Sequence, residues 1–374
     1  MAGGRRSAVG GRRSAVRRVD GKNAAQRISG LIQFEHHELA ALDGVGDDEV
    51  RLGDHPLTAH GRSQQGVAIV GREIAMHRDA HVAILAEGPD LAAGPGRQGV
   101  AQTAHSNTRM PTLFIPHGAG PCFFMDWNPP DAWDATAAYL RSIAGSLPQR
   151  PKAIVLVTAH WLAPQFTAGS AAQPGMLFDY YGFPPHTYQL RYPAPGAPEL
   201  AERVTGLIQA AGLPAAQDGE RGYDHGVFIP MLLAFPDADI PVLQLSLLQD
   251  LDPEAHLAMG RALAPLRDEG VLIIGSGMSF HNMRAYGDPR ATPVSQQFDA
   301  WLSETVALPE PERTARLARW DSASGPAGRL SHPPRAEEHL LPLLVVAGAA
   351  ADDAGQRDFS DEVMATTISA FRFG

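Results

Sequence analysis

An α/β domain, with a central, mostly parallel or mixed sheet flanked by helices, is the fold this chain predicts, on three observations. Short runs that are apolar throughout recur along the chain. Between them lie stretches whose apolar positions fall at helical spacing. Runs without polar alternation imply strands covered on both faces, as when helices pack on both sides of a sheet. The third observation is that several runs end at or near a histidine.

The elements follow in chain order. Residues 112–116 form the first apolar run, closed by Pro116, which cannot donate to a sheet ladder. A helix is expected over 131–147, after Pro129 and Pro130. Asp131 is a plausible N-cap, with Trp133, Ala137, Leu140, Ala144 and Leu147 on one face. Residues 153–159 are the next strand. The stretch 178–196 is too rich in proline and glycine for regular helix. Amphipathic helices are expected over 197–212, 253–269, 293–306 and 338–348, with a shorter apolar helix from Val227 to Leu233. Strands over 241–247, 271–276 and a C-terminal stretch near 364–373 complete the sheet.

Chemistry concentrates where the strands end. In an open α/β sheet, ligands bind at the carboxyl ends of the strands. His117 follows 112–116, His160 follows 153–159, and His281 comes shortly after 271–276. His225, between Asp224 and Gly226, begins the short apolar helix. Taken singly, each has a plain structural explanation: a turn cap for His117, a backbone-bonded imidazole for His160, and a bystander to a capping Asp224 for His225. Taken together, they would make a nitrogen-rich pocket suited to zinc or ferrous iron. His256 is expected on a solvated helix face, and His186 and His332 in proline-rich loops. His339 is expected at a helix start, where it could orient a ligand. The loop 178–196 adds aromatic faces, phenolic hydroxyls and one cation, Arg191. Those are the features an aromatic, anionic substrate needs.

Composition sets limits. The 374 residues are 44% apolar and 19% charged, with a net charge of −10, which argues against a non-specific nucleic-acid binder. No run approaches the ~20 apolar residues of a membrane span. One cysteine, Cys122, excludes an intrachain disulfide framework, and a reducing cytoplasm fits.

The chain changes character near Met110. Residues 1–30 repeat Gly3–Val9 as Gly10–Val16 and carry eight Arg or Lys against one Asp, so disorder is expected there. All five tryptophans, all seven tyrosines and thirteen of the fourteen phenylalanines lie beyond residue 109. The Arg-rich start is compatible with an organellar targeting segment, but that signal fades after residue 30. A basic nucleic-acid arm finds no support downstream. We read residues 1–109 as a low-order extension ahead of a natural start near Met110, and 110–374 as the folded domain.

From Met110 onward the chain resembles the class III extradiol ring-cleavage dioxygenases of the DOPA 4,5-dioxygenase type, within the LigB-like superfamily. The residues that carry the resemblance are Phe114–Gly118 (FIPHG), Val157–Trp161 (VTAHW), Tyr181–Pro184 with Tyr192–Gly196 (YGFP, YPAPG), Tyr223–Gly226 (YDHG), Gly275–Gly277 with His281–Asn282, and His332–Pro342. They occur in family order, and residues 1–109 have no counterpart. The resemblance implies that His117, His160 and His281 hold a divalent metal, ferrous iron in the active enzyme with zinc possible. In the broader superfamily the third ligand is a carboxylate, where this chain has His281. His225 matches the acid/base histidine and is in some members counted with the metal site. Tyr188, Arg191 and Tyr192 of the aromatic loop, with His339, are the candidate substrate contacts read from the residues themselves. The implied reaction opens a catechol-type ring with dioxygen beside the hydroxyl-bearing carbons, and a homodimer is compatible. A zinc metallohydrolase on the same histidines, or a non-catalytic scaffold of the Memo kind, are the alternatives.

Overall fold

The computed structural model describes residues 109–374. The expectations for residues 1–108 lie outside this range. In chain order the elements are β1 (Thr112–Pro116), α1 (Asp134–Ser146), β2 (Ala153–Ala163), β3 (Phe166–Gly169), α2 (Pro198–Ala210), β4 (Ala215–Asp218), α3 (His225–Ala234), β5 (Val242–Leu248), α4 (Pro253–Leu263), β6 (Val271–Gly277), α5 (Thr292–Val306), α6 (Glu310–Leu317), α7 (Trp320–Ala323), α8 (Pro326–Ser331), α9 (Leu341–Ala349), β7 (Gly355–Val363) and β8 (Thr366–Phe373).

The strands form one mixed sheet in the order β4-β3-β5-β2-β6-β1-β8-β7. Its centre, β5-β2-β6-β1, is parallel, while the β7–β8 hairpin adds antiparallel strands at one edge and β3 runs antiparallel to β5 at the other. The central strands are buried on both faces, as their unbroken apolar runs predict. Side chains over residues 154–157 of β2 alternate. Ile154 and Leu156 face a layer formed with α1 and α3, whereas Val155 and Val157 face α2, α4, α5 and α9. Each such aliphatic side chain contributes about 1.5–3 kcal/mol when fully buried.

α9 is buried along its whole length, so its helical period carries no polar face. It crosses α4 closely. A Cβ on Gly260 would strike the Val345 carbonyl, and one on Gly348 the Leu257 carbonyl. Only glycine permits that approach.

Several boundaries differ from the expected ones for identifiable reasons. α4 stops at Leu263 and tightens into a 3-10 turn over Ala264–Arg267, because Pro265 lacks the N–H that would continue the α-helix. His256 is not solvated. It is fully buried, with Nδ1 donating to the Asp252 carbonyl and Nε2 accepting from Leu248 N–H at 3.1 Å. The C-terminal stretch near 364–373 is only half of a hairpin. No helix among the described residues is long and apolar enough to cross a membrane.

Candidate active site

Three neighbouring parallel strands, β1, β6 and β2, bring their carboxyl ends to one edge. In register, Pro116 lies beside Gly277, and Thr158 beside Ser276. His117 leaves β1 here, its N–H bonded to the Gly277 carbonyl at 3.2 Å. His160 reaches the same place by a different route than expected, because β2 does not end at Ala159. The strand continues to Ala163 through an irregularity: Val157 pairs with Leu245 and Leu162 with Leu247, so residues 158–161 stand opposite Ser246 alone. Such a bulge re-aims a side chain without ending the strand, and here the re-aimed side chain is His160.

The segment after α8 closes the site from above β6. Met278 N–H donates to the His339 carbonyl and His281 N–H to the Ser331 carbonyl, both at 3.0 Å. Any side chain on Gly277 would collide with that His339 carbonyl. His339 precedes α9 instead of opening it. α3 starts at His225 itself. A Cβ on Gly226 would lie 2.5 Å from Thr158 Oγ1, so glycine lets the first turn of α3 rest on the β2 bulge.

The imidazoles converge. His117 Nε2 and His160 Nε2 are 3.3 Å apart. The His225 ring centroid lies 3.8 Å from that of His160, and the His339 centroid 5.1 Å and 4.9 Å from those of His117 and His160. His281 stacks on His339. Ligand atoms of His117, His160 and His225 all lie within 4.8 Å of one another, as do those of His281, Glu338 and His339.

A common device orients three of these rings. His117 Nδ1 lies 3.0 Å from the Gly118 carbonyl, His225 Nδ1 2.8 Å from Asp179 Oδ1, and His339 Nδ1 2.8 Å from Glu338 Oε1. With the proton on Nδ1 in each, Nε2 carries the lone pair, the usual arrangement of metal-binding imidazoles. His339 Nε2 is buried with no hydrogen-bond partner among the described residues. Burial first, then the charges of neighbouring histidines, holds His117, His160 and His339 well below the ordinary imidazole pKa. They are neutral at pH 7, the state a cation requires of its ligands. On this geometry and donor chemistry the residues fit a borderline divalent metal such as Fe²⁺ or Zn²⁺.

Two carboxylates were not singled out for the site from the sequence. Asp179, from the aromatic loop, bonds His225 and places Oδ2 3.9 Å from His160 Nδ1. Burial alone would raise its pKa, but His225 beside it brings it below the ordinary carboxylate value. Asp224 is fully buried behind the bulge, where it accepts from Thr158 Oγ1 at 2.8 Å, Gln244 Nε2 at 2.9 Å and Arg221 at 3.1 Å. Arg221 also donates to the His160 carbonyl at 2.9 Å and lies over the Trp161 ring. Burial, with Asp179 adding to it, pushes the Asp224 carboxyl up to about 6. The side chain of Asp224 makes no cap bond to α3.

The aromatic loop forms a wall beside His225. Tyr180 meets it edge-on at 5.8 Å, and Phe178, Phe183 and Tyr188 pack around Tyr180. The Tyr188 hydroxyl lies 3.4 Å from Phe183 N–H as its acceptor. Arg191 is exposed, lies over the Phe178 ring and donates to the carbonyls of Tyr188 and Leu190. Tyr192 is fully buried against Tyr223, and its hydroxyl finds no partner among the described residues.

Comparison with known proteins agrees with this architecture. Residues 111–371 match the family described as the catalytic LigB subunit of aromatic ring-opening dioxygenase. The chain is 38% identical over 292 residues to a protein named dioxygenase tasH from Hapsidospora irregularis, covering 72% of this chain and 88% of that one. It is 37% identical to a 4,5-DOPA dioxygenase extradiol of Beta vulgaris, over 65% of this chain and 88% of the relative. A protein of the same name from Escherichia coli K12 is 38% identical, over 65% and 86%. A solved structure of an uncharacterized Escherichia coli K12 protein superposes with a TM-score of 0.56 at 32% identity, covering 71% of this chain and all of that one. The chain belongs to the LigB family of extradiol dioxygenases.

Proposed function

We propose that residues 110–374 form a metal-dependent extradiol dioxygenase that opens a catechol-type ring with dioxygen. His117 and His160 are two of the metal ligands. The third nitrogen comes from the stacked pair His281–His339, with His339 favoured by its buried, unpartnered Nε2. The observation that carries this reading is the approach of His117 Nε2 and His160 Nε2 to 3.3 Å, in a cluster where the outer nitrogens of His117, His225 and His339 are committed to oxygen acceptors. Two lone pairs at that separation repel unless a proton or a cation lies between them.

Ferrous iron in such a site supplies Lewis acidity toward the catechol oxygens and an electron path from ring to dioxygen, while zinc would supply only the former. The chain's own residues do the rest. The aromatic wall of Phe178, Tyr180 and Tyr188 offers ring faces for the substrate and excludes water. Tyr180 turns its hydroxyl away, to the Thr187 carbonyl, so it presents ring rather than donor. Arg191 at the rim is the cation for an anionic substituent, and Tyr192 braces the wall from the core. His225 Nε2 accepts a catechol proton and returns it when the ring opens. The 4,5-DOPA dioxygenase relatives favour a substituted catechol of that size class.

The test is oxygen uptake by the Fe²⁺-reconstituted full chain across a panel of catechols that includes 3,4-dihydroxyphenylalanine and protocatechuate. Uptake together with a ring-opened chromophore is expected for at least one of them. Turnover that persists without oxygen would instead identify a hydrolase on the same histidines. Absence of uptake across the panel from iron-loaded protein overturns the dioxygenase reading.

A further inference from the structure

We propose that Asp179 is a positioning residue: its carboxylate keeps the proton of His225 on Nδ1 and aims the ring, so that Nε2 presents its lone pair to the substrate. This rests on the reading of His225 as the proton carrier. One oxygen, Oδ1, accepts two bonds from the same residue, the backbone N–H of His225 at 3.0 Å and Nδ1–H at 2.8 Å. Bonding the main chain and the ring of one histidine to one atom fixes where the ring lies relative to the start of α3. The second oxygen, Oδ2, sits 3.9 Å from His160 Nδ1, so one carboxylate faces both the proton carrier and a metal ligand.

Asp179 is itself held firmly. The strand-like segment before it pairs with the one leading into α3, through Tyr223 N–H to the Gly175 carbonyl at 2.9 Å and Leu177 N–H to the Tyr223 carbonyl at 2.8 Å. Its neighbours Phe178 and Tyr180 both pack on Phe228, one turn along α3, at 5.6 Å and 6.2 Å between ring centroids. A carboxylate that bonds the remote nitrogen of an imidazole selects one tautomer and supports the imidazolium that forms on proton uptake. A simpler role is also open to Asp179. Asp224 leaves the first turn of α3 without a side-chain cap, and Asp179 accepts its first N–H. Capping alone would affect stability and leave the tautomer of His225 untouched.

The experiment uses the full chain labelled with ¹⁵N-histidine and loaded with zinc for NMR, or with iron for kinetics. The His225 resonances are located by their loss in His225→Gln. Wild type is expected to show His225 as the Nδ1–H tautomer. In Asp179→Ala that tautomer is lost, zinc content is unchanged, and kcat falls about 100-fold, a general-acid/base effect, with KM little altered. Asp179→Asn keeps an oxygen for both N–H groups, so it retains the tautomer and recovers most of the kcat lost in the alanine variant. An Nε2–H tautomer in wild type overturns the proposal, even if the alanine variant does not fold. So does an Asp179→Ala protein that keeps the Nδ1–H tautomer or its turnover, or an asparagine variant that keeps the tautomer yet is as slow as the alanine variant. If wild type turns over no catechol, the dioxygenase reading falls, while the tautomer measurement still decides the role of Asp179.

Discussion

His281 and His339 lie face to face, with ring centroids 3.4 Å apart and planes inclined by 16°. Glu338 Oε1 is 2.8 Å from Nδ1 of His339 and 3.8 Å from Nδ1 of His281, so the carboxylate commits to His339. A stacked pair presents its two lone pairs side by side, and His339 is the ring whose Nδ1 is held by Glu338 while its buried Nε2 has no hydrogen-bond partner among the described residues. His339→Ala is therefore expected to weaken zinc binding by more than the about 10–100-fold that loss of an orienting partner costs, and His281→Ala by less. Competition against a chromophoric chelator measures both. The reverse order, with His281→Ala the more damaging, would make His281 the ligand.

The parallel centre of the sheet and the histidines at its edge were legible because both depend on short-range patterns: unbroken apolar runs for the strands, and a histidine near the end of three of them. What was hidden depends on partners distant in the chain. β2 runs past His160 because Leu162 pairs with Leu247 of β5, and nothing in residues 158–161 announces that bulge. Asp179 looked like one polar residue in an aromatic loop, and its importance comes from α3, 46 residues away. β7 reads as a polar segment because one face of this edge strand is solvated and charged, as edge strands commonly are.

The buried Asp224 anchors the bulge that carries His160. Asp224→Ala would strand Thr158 and Gln244 and leave Arg221 without its carboxylate. The expected loss is about 3 kcal/mol, near the lower end for a broken buried ion pair, because the Arg221 side chain keeps 20% exposure. Urea unfolding at neutral pH reads it. A loss within about 0.5 kcal/mol, the usual range for surface substitutions, would show that the network contributes nothing.

His256 gives the fold a separable acid sensitivity. Burial pushes its imidazole down to about 4, partly countered by its bond to the Asp252 carbonyl. Above pH 6.5 it is neutral in both folded and unfolded chains and contributes no pH dependence. As pH falls from 6.5 toward 4, the unfolded chain takes up a proton that the folded one refuses. Stability then drops by up to about 1.4 kcal/mol per pH unit. His256→Gln removes this term but leaves Leu248 N–H poorly matched, costing about 1–3 kcal/mol at pH 7.5. The stability gap between wild type and variant should therefore narrow as pH falls from 6.5 to 4, as followed by denaturant titrations at each pH. His332, held down to about 3, is present in both proteins and cancels. A gap that stays constant would mean His256 is not buried neutral.

The β7–β8 hairpin turns on Met364 and Ala365, with φ of 48° and 60°. Two successive left-handed residues make the type of two-residue turn whose twist suits a hairpin, and asparagine and glycine are its ordinary occupants. Methionine and alanine there carry a steric cost of about 1–2 kcal/mol each. Bonds from outside the hairpin hold the turn in place, from Gly287 N–H to the Met364 carbonyl at 2.7 Å and from Thr292 Oγ1 to the Ala365 carbonyl at 2.8 Å. Both use backbone carbonyls, so neither is lost when the side chain changes. Ala365→Gly should relieve the steric cost, offset in part by the greater freedom glycine gives the unfolded chain. The net expectation is a stabilisation of about 0.5–1 kcal/mol, read as a raised urea midpoint at unchanged slope. Val, branched at Cβ, at the same position should destabilise by at least as much. If Ala365→Gly lowers the midpoint instead, residue 365 does not sit in the left-handed region, and the register between Val363 and Thr366 that depends on it would have to be redrawn.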